Sequence, residues 1–95
     1  MPHSLAAIEA ISQAYPAVPQ VACFDTAFHS RMPRVVRIYA LPRWVAQAGV
    51  VRYGFHGLSC EYVMEQLRTA DRASAGGRVV IAHLGNGASM TAVAE

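Results

Sequence analysis

Three short segments of this 95-residue chain pair chemically capable side chains with glycines that can aim them. His83-Leu84-Gly85-Asn86-Gly87 follows the apolar run Val79-Val80-Ile81-Ala82. Asn-Gly after such a run is a strong hairpin signal, and a plain turn is the simpler reading. The same turn also suits phosphate. Gly85 and Gly87 would let backbone N–H groups approach an oxyanion closely, Asn86 could donate from its amide, and His83 could add a ring donor at the strand end.

Asp25 closes the apolar stretch from Val18 to Phe24. A carboxylate there either caps the loop that follows or points into a cleft, where it can accept a proton, hold Mg²⁺ through water or orient a nucleophile. His29 is a candidate partner for it, although a loop histidine is expected to be solvated. In Gly54-Phe55-His56-Gly57 the glycines either form a turn around one buried ring or present His56 to charge developing on a transferring group, with Phe55 as an apolar wall. Cys23 and Cys60 stand in no metal or redox spacing and read as ordinary thiols in a reducing compartment.

All eight basic residues are arginine. Without lysine the chain carries neither a P-loop nor Schiff-base chemistry. Any phosphate it handles must meet backbone N–H groups, Arg, Asn, His or a metal ion.

These residues need elements to hold them. Leu5, Ile8, Ile11 and Tyr15 share one side of a helix that Ser4 can cap and that Pro16 and Pro19 end. Val18 to Phe24 reads as a buried strand stopping at Asp25. Thr26 to Pro33 reads as a loop, and Arg34 to Ala40 allows either strand or helix. Pro42, Trp44, Val45 and Ala48 predict a short helix closed by Gly49. With Ser59 as N-cap and Glu61 in the first turn, Val63, Leu67 and Ala70 predict a helix from Cys60 to Ala70. Ala73-Ser74-Ala75-Gly76-Gly77 reads as a flexible link, Arg78 to Leu84 as a buried strand and Ala88 to Ala94 as a further strand. This order indicates an α/β unit.

Composition bounds the class. Hydrophobic residues make up 54% and charged residues 15%, against about 25% charged in an average domain. That excludes disorder, and it points to a piece of something larger, because a small self-sufficient domain has much surface to cover with charge. No apolar run approaches the roughly 18 residues of a membrane span, and the first residues lack the pattern of a secretory signal. A net charge of +2 on scattered arginines forms no stripe for nucleic acid. A cytoplasmic chain with no nucleic-acid or membrane partner is the expectation.

Four motifs in order carry a resemblance. They are Phe24-Asp25-Thr26-Ala27-Phe28-His29 with Met32-Pro33, Tyr39-Ala40-Leu41-Pro42, Arg52-Tyr53-Gly54-Phe55-His56-Gly57, and Ala82-His83-Leu84-Gly85-Asn86-Gly87-Ala88-Ser89. Together they resemble consecutive signatures of the acetate and propionate kinase family, and Pro2-His3-Ser4-Leu5-Ala6-Ala7-Ile8 resembles the helix start that precedes them. The resemblance implies an actin-like ATPase fold, with two ribonuclease-H-like α/β domains around a nucleotide cleft. Residues 1–95 would be part of the first domain, with the second domain absent. It further implies phosphoryl transfer from ATP to acetate or propionate with Mg²⁺, and a homodimeric full-length form. By position, Asp25 matches the family's catalytic aspartate and His56 its transition-state-stabilising histidine. His83, Leu84, Gly85, Asn86 and Gly87 match its phosphate-binding loop, and Phe55 matches a wall of the acyl pocket. No residue here is assigned as a metal ligand.

The chain departs from the family pattern after His56, where Gly-Thr-Ser-His is usual and Gly57-Leu58-Ser59-Cys60 stands here. A hydroxyl becomes apolar and a second histidine is lost. The isolated chain is expected to lack kinase activity. A remnant that binds phosphate or nucleotide weakly, or a purely structural segment, is the alternative.

Overall fold

A hairpin and the helix laid across it organise the chain, whose residues 2–94 are described by a computed structural model. Strand β1 (Val79–Leu84) pairs antiparallel with β2 (Ala88–Val93), and Gly85, Asn86 and Gly87 form the turn. Strand side chains alternate between faces. One row, Val79, Ile81 and His83 with Ser89, Thr91 and Val93, turns inward, while the alternate residues are exposed. His83 and Ser89 are opposite each other at the turn end of that row.

Helix α4 (Gly57–Ala70) covers the row. Its buried residues Gly57, Cys60 and Met64 recur at helical spacing. Cys60, Met64 and Ile81 form the core, with Phe28, Leu67, Val79 and Val93 packed against it. The inner face therefore differs from the expected one, since Val63 and Ala70 are exposed. The helix also begins earlier than expected. His56, with φ 56° and ψ 30°, is the N-cap, which leaves Ser59 inside the first turn.

The segment expected to be flexible folds into a helical turn, α5 (Arg72–Ala75). Asp71 caps it, accepting the Ser74 N–H at 3.1 Å on Oδ1 and the Ser74 hydroxyl at 2.6 Å on Oδ2. The two donations from Ser74 hold the Asp71 carboxyl below its ordinary value.

Before α4 the chain runs through α1 (Pro2–Ala14), a 3-10 turn (Ala27–His29), α2 (Arg34–Arg37) and α3 (Arg43–Gln47). Helix α1 starts at Pro2, so Ser4 lies within it rather than capping it. Pro42 leads into α3, and Gly49 follows it at φ 86°. The ambiguous stretch Arg34 to Ala40 resolves in favour of one helical turn. Val18 to Phe24 forms no strand, and it is exposed throughout. A strand exists only beside a hydrogen-bonded neighbour, and among the described residues β1 and β2 pair solely with each other.

Much apolar surface is uncovered as a result. Leu5, Ile8, Ile11 and Tyr15 on α1 are all exposed, as are Val21 and Phe24. The accessible surface is 8061 Å², where a compact monomer of this mass has roughly 5,300 Å². The radius of gyration is 17.2 Å, against about 12 Å for a compact domain of this length. The low charge of the sequence thus belongs to surfaces built for apolar contact.

Candidate active site

Asp25 lies where two distant segments meet. Its Oδ2 accepts the backbone N–H of His56 at 2.7 Å, its Oδ1 accepts that of Leu58 at 3.3 Å, and its backbone carbonyl accepts that of Gly57 at 2.9 Å. The carboxylate therefore caps α4, a helix whose N-cap lies 31 residues along the chain, rather than the loop directly after it. A negative charge at the first turn also opposes the helix dipole. The N–H of His56 above all holds the Asp25 carboxyl below its ordinary value, against an opposing effect of burial and with a lesser contribution from the Leu58 N–H. Gly57 is required at this junction, because a Cβ there would run into the Asp25 carbonyl oxygen.

His56 faces two ways. Its left-handed backbone, a conformation that histidine adopts more readily than most residues, delivers the N–H to Asp25. Its ring crosses to the hairpin. The rings of His56 and His83 stack with centroids 4.0 Å apart and planes 7° from parallel. Nδ1 of His56 is 2.9 Å from Ser89 Oγ, and Nδ1 of His83 is 3.1 Å from Ser59 Oγ.

The Nε2 atoms of both rings lie against the turn. A Cβ on Gly87 would be 3.3 Å from His56 Nε2, and one on Gly85 would be 3.9 Å from His83 Nε2. A Cβ at position 87 would crowd the His56 ring, whereas one at position 85 would stand at ordinary contact distance from His83. Leu84, Gly85, Asn86 and Gly87 are all exposed, which leaves the turn accessible to an anion.

Phe55 is 67% exposed and borders an open cleft of about 810 Å³. Met32, Pro33, Val36, Tyr53 and His56 also line it. The cleft is apolar on one side and reaches His56 and Ser89 on the other. Arg52 sits over the Tyr39 ring at 5.1 Å within the same walls.

His29 is not solvated. It is 7% exposed, its Nε2–H donates to the Phe55 carbonyl at 2.9 Å, and its ring meets Phe28 edge-on. Rather than partnering the Asp25 carboxylate, it pins the backbone beside His56. Gly54, at φ 80°, leaves room for this ring, since a Cβ there would overlap it.

Both departures from the family pattern are accommodated. Leu58 meets Asp25 through its backbone N–H, so its exposed side chain leaves that bond untouched. Cys60 is a fully buried core residue whose thiol reaches Thr91 Oγ1 at 3.7 Å. Cys23 is exposed and free.

Ser59 and Ser89 went unrecognised as partners of the two histidines. Ser89 had a readable signal, because a three-residue turn closing on His83 and Leu84 places Ser89 across from His83. Ser59 had none, as its contact joins residues 24 apart on different elements.

The donors present suit a phosphate, with two imidazole edges, a glycine turn and the Asn86 amide at one place. Mg²⁺ commonly takes one or two carboxylates with the rest of its shell from phosphate and water. Asp25, held ionised, fits one side of such an ion. The described residues form no group of three or more His, Cys, Asp or Glu able to cage a metal. None of their helices is long and apolar enough to cross a membrane.

Comparison with known proteins agrees with these motifs. The acetokinase family model matches residues 1–95. The acetate kinase of Rhodopseudomonas palustris is 57% identical over 93 residues, covering 97% of this chain and 23% of that protein. The acetate kinase of Methylocella silvestris is 54% identical over 94 residues, with 99% and 23% covered. The crystal structure of Porphyromonas gingivalis acetate kinase superposes with a TM-score of 0.87 at 41% identity, covering 98% of this chain and 24% of that one. A propionate kinase from Francisella tularensis gives 0.83 at 42%, with 97% and 24% covered. The chain thus spans about a quarter of the length of the relatives it matches. With its motifs, its mixed α/β fold and a family match over all 95 residues in agreement, the chain belongs to the acetokinase family.

Proposed function

We propose that this chain is part of the first domain of an ATP-dependent short-chain carboxylate kinase of the ribonuclease-H-like, actin-like ATPase type. A carboxylate oxygen of acetate or propionate attacks the γ-phosphorus of ATP. The bond from that phosphorus to the bridging oxygen breaks, leaving ADP and an acyl phosphate. The observation that supports this best is the His56 ring, stacked on His83, tied by Nδ1 to Ser89 and set with Nε2 beside Gly87.

In this reading the amides of Gly85, Asn86 and Gly87, with His83 and Leu84 leading into them, hold phosphate oxygens. His56 donates from Nε2 to charge spreading over the transferring group, as phosphoryl transfer demands. Phe55 walls the acyl end of the cleft. Asp25 keeps His56 in place through the backbone and offers a negative charge toward Mg²⁺. When bound, Mg²⁺ would neutralise charge on the phosphates. The complete protein is cytoplasmic and homodimeric in this reading, with neither nucleic acid nor membrane as partner.

The test restores the missing surroundings. This chain replaces the matching segment of the Rhodopseudomonas palustris acetate kinase, and acyl phosphate is trapped with hydroxylamine. Activity is expected in the chimera and not in the 95-residue chain alone. His56→Ala and Asp25→Ala should each lower turnover by about a hundredfold or more, as losing a transition-state donor does. A chimera that folds and binds ATP yet forms no acyl phosphate sinks the reading.

A further inference from the structure

The two stacked histidines share a pattern that neither stacking nor burial requires. Each Nδ1 meets one serine hydroxyl, at 2.9 Å for His56 with Ser89 and 3.1 Å for His83 with Ser59. Each Nε2 lies against a glycine of the same turn. The serines come from opposite sides, Ser89 from β2 and Ser59 from α4.

Ser59 lies in the first turn of α4, where no helical carbonyl stands four residues earlier to take its hydroxyl. The Ser59 hydroxyl reaches across to His83, its single side-chain partner among the described residues. Ser89 likewise has His56 alone. A serine hydroxyl can either donate to a ring nitrogen or accept from it, and the neutral imidazole offers one lone pair. Donation to Nδ1 therefore puts the ring proton on Nε2. The opposite tautomer would turn a lone pair toward the glycine turn, where phosphate oxygens need donors.

We infer that Ser59 and Ser89 are positioning residues that fix the tautomers of His83 and His56, holding Nε2–H of both rings at the Gly85-Asn86-Gly87 turn. The inference deepens the kinase reading and, for its catalytic consequence, rests on it.

The tautomers are read directly by long-range ¹H–¹⁵N correlation of the histidine-labelled chimeric kinase at about pH 8, above the ordinary histidine range. Both rings are expected as Nε2–H forms. Ser89→Ala should convert His56 to a mixture while His83 keeps its form, and Ser59→Ala should do the reverse. Ser89→Thr should restore His56. Should Ser89→Ala loosen the hairpin, Ser89→Cys keeps the volume while removing the strong donor. In the chimeric kinase Ser89→Ala should lower kcat about tenfold, the worth of one hydrogen bond, with KM for acetate little changed. A His56 tautomer indifferent to both Ser89→Ala and Ser89→Cys overturns the inference, as do rings averaging freely in the unmodified chimera or an unchanged kcat. Tautomers that respond as expected in a chimera without activity would instead refute the kinase reading alone.

Discussion

The backbone N–H of His56 donates to the carboxylate of Asp25 across 2.7 Å, while the ring of the same histidine bonds Ser89 on the hairpin. One residue thus links a loop, a helix start and a strand. Whatever loosens Asp25 is transmitted to the imidazole through the backbone of the helix it caps.

Acid provides the first test. The Asp25 carboxyl titrates below its ordinary value in the folded chain. Its contribution is therefore complete above about pH 4, the unfolded carboxylate value, and is lost as pH falls through the depressed folded value. Amide exchange at His56 and Leu58, whose N–H groups the carboxylate accepts, should quicken over that acidic window and stay protected above it. In Asp25→Ala the same amides should exchange fast at every pH. Protection that persists in Asp25→Ala would show that the cap contributes nothing.

His29→Ala should lower stability by about 0.5–1.5 kcal/mol, the net worth of its hydrogen bond to the Phe55 carbonyl. Thermal unfolding of the chimeric kinase measures it. A melting point equal to that of the parent would return His29 to the status of a solvated loop residue.

Gly54→Ala and His29→Ala should couple. Alone, Gly54→Ala meets both a left-handed backbone, about 1–2 kcal/mol, and the His29 ring. With His29 already alanine, the second cost disappears and Gly54→Ala should be milder by at least about 1 kcal/mol. Strict additivity in denaturant unfolding would mean that the ring moves aside freely.

Met64→Ala should cost about 2–5 kcal/mol, because the side chain is 1% exposed at the centre of the contact between α4 and the hairpin. Val63→Ala, one residue away but exposed, should cost far less. Equal losses would mean that α4 packs by a different face.

Legibility in the sequence followed interaction range. The hairpin was readable because Asn86-Gly87 and the flanking alternation are local, and Pro42 with Gly49 bracketed α3 for the same reason. The start of α4 is not legible locally because its cap comes from Asp25, far back in the chain, while the nearby Ser59 offers a better local candidate. Val18 to Phe24 has strand composition, but strand formation needs a neighbour that composition does not reveal. The motifs mark the candidate site in the sequence, whereas the serine partners of its histidines depend on how α4 lies across β1. His29 was misjudged for a similar reason. Loop membership suggested solvent, and only the fold of Gly54 against it makes a buried niche.

The junction at His56 also has a kinetic meaning. Its bonds to Asp25 and Ser89 bridge 31 and 33 residues, one in each direction along the chain. Two separate loops of that length must close before both exist, and closing each costs entropy that only the finished contacts return. The α4 helix and the hairpin can each form from neighbours in sequence, but the paired imidazoles face the glycine turn only once both closures are complete. The placement of both rings at the glycine turn is therefore a late event in folding, and a chain interrupted at either loop would lack it.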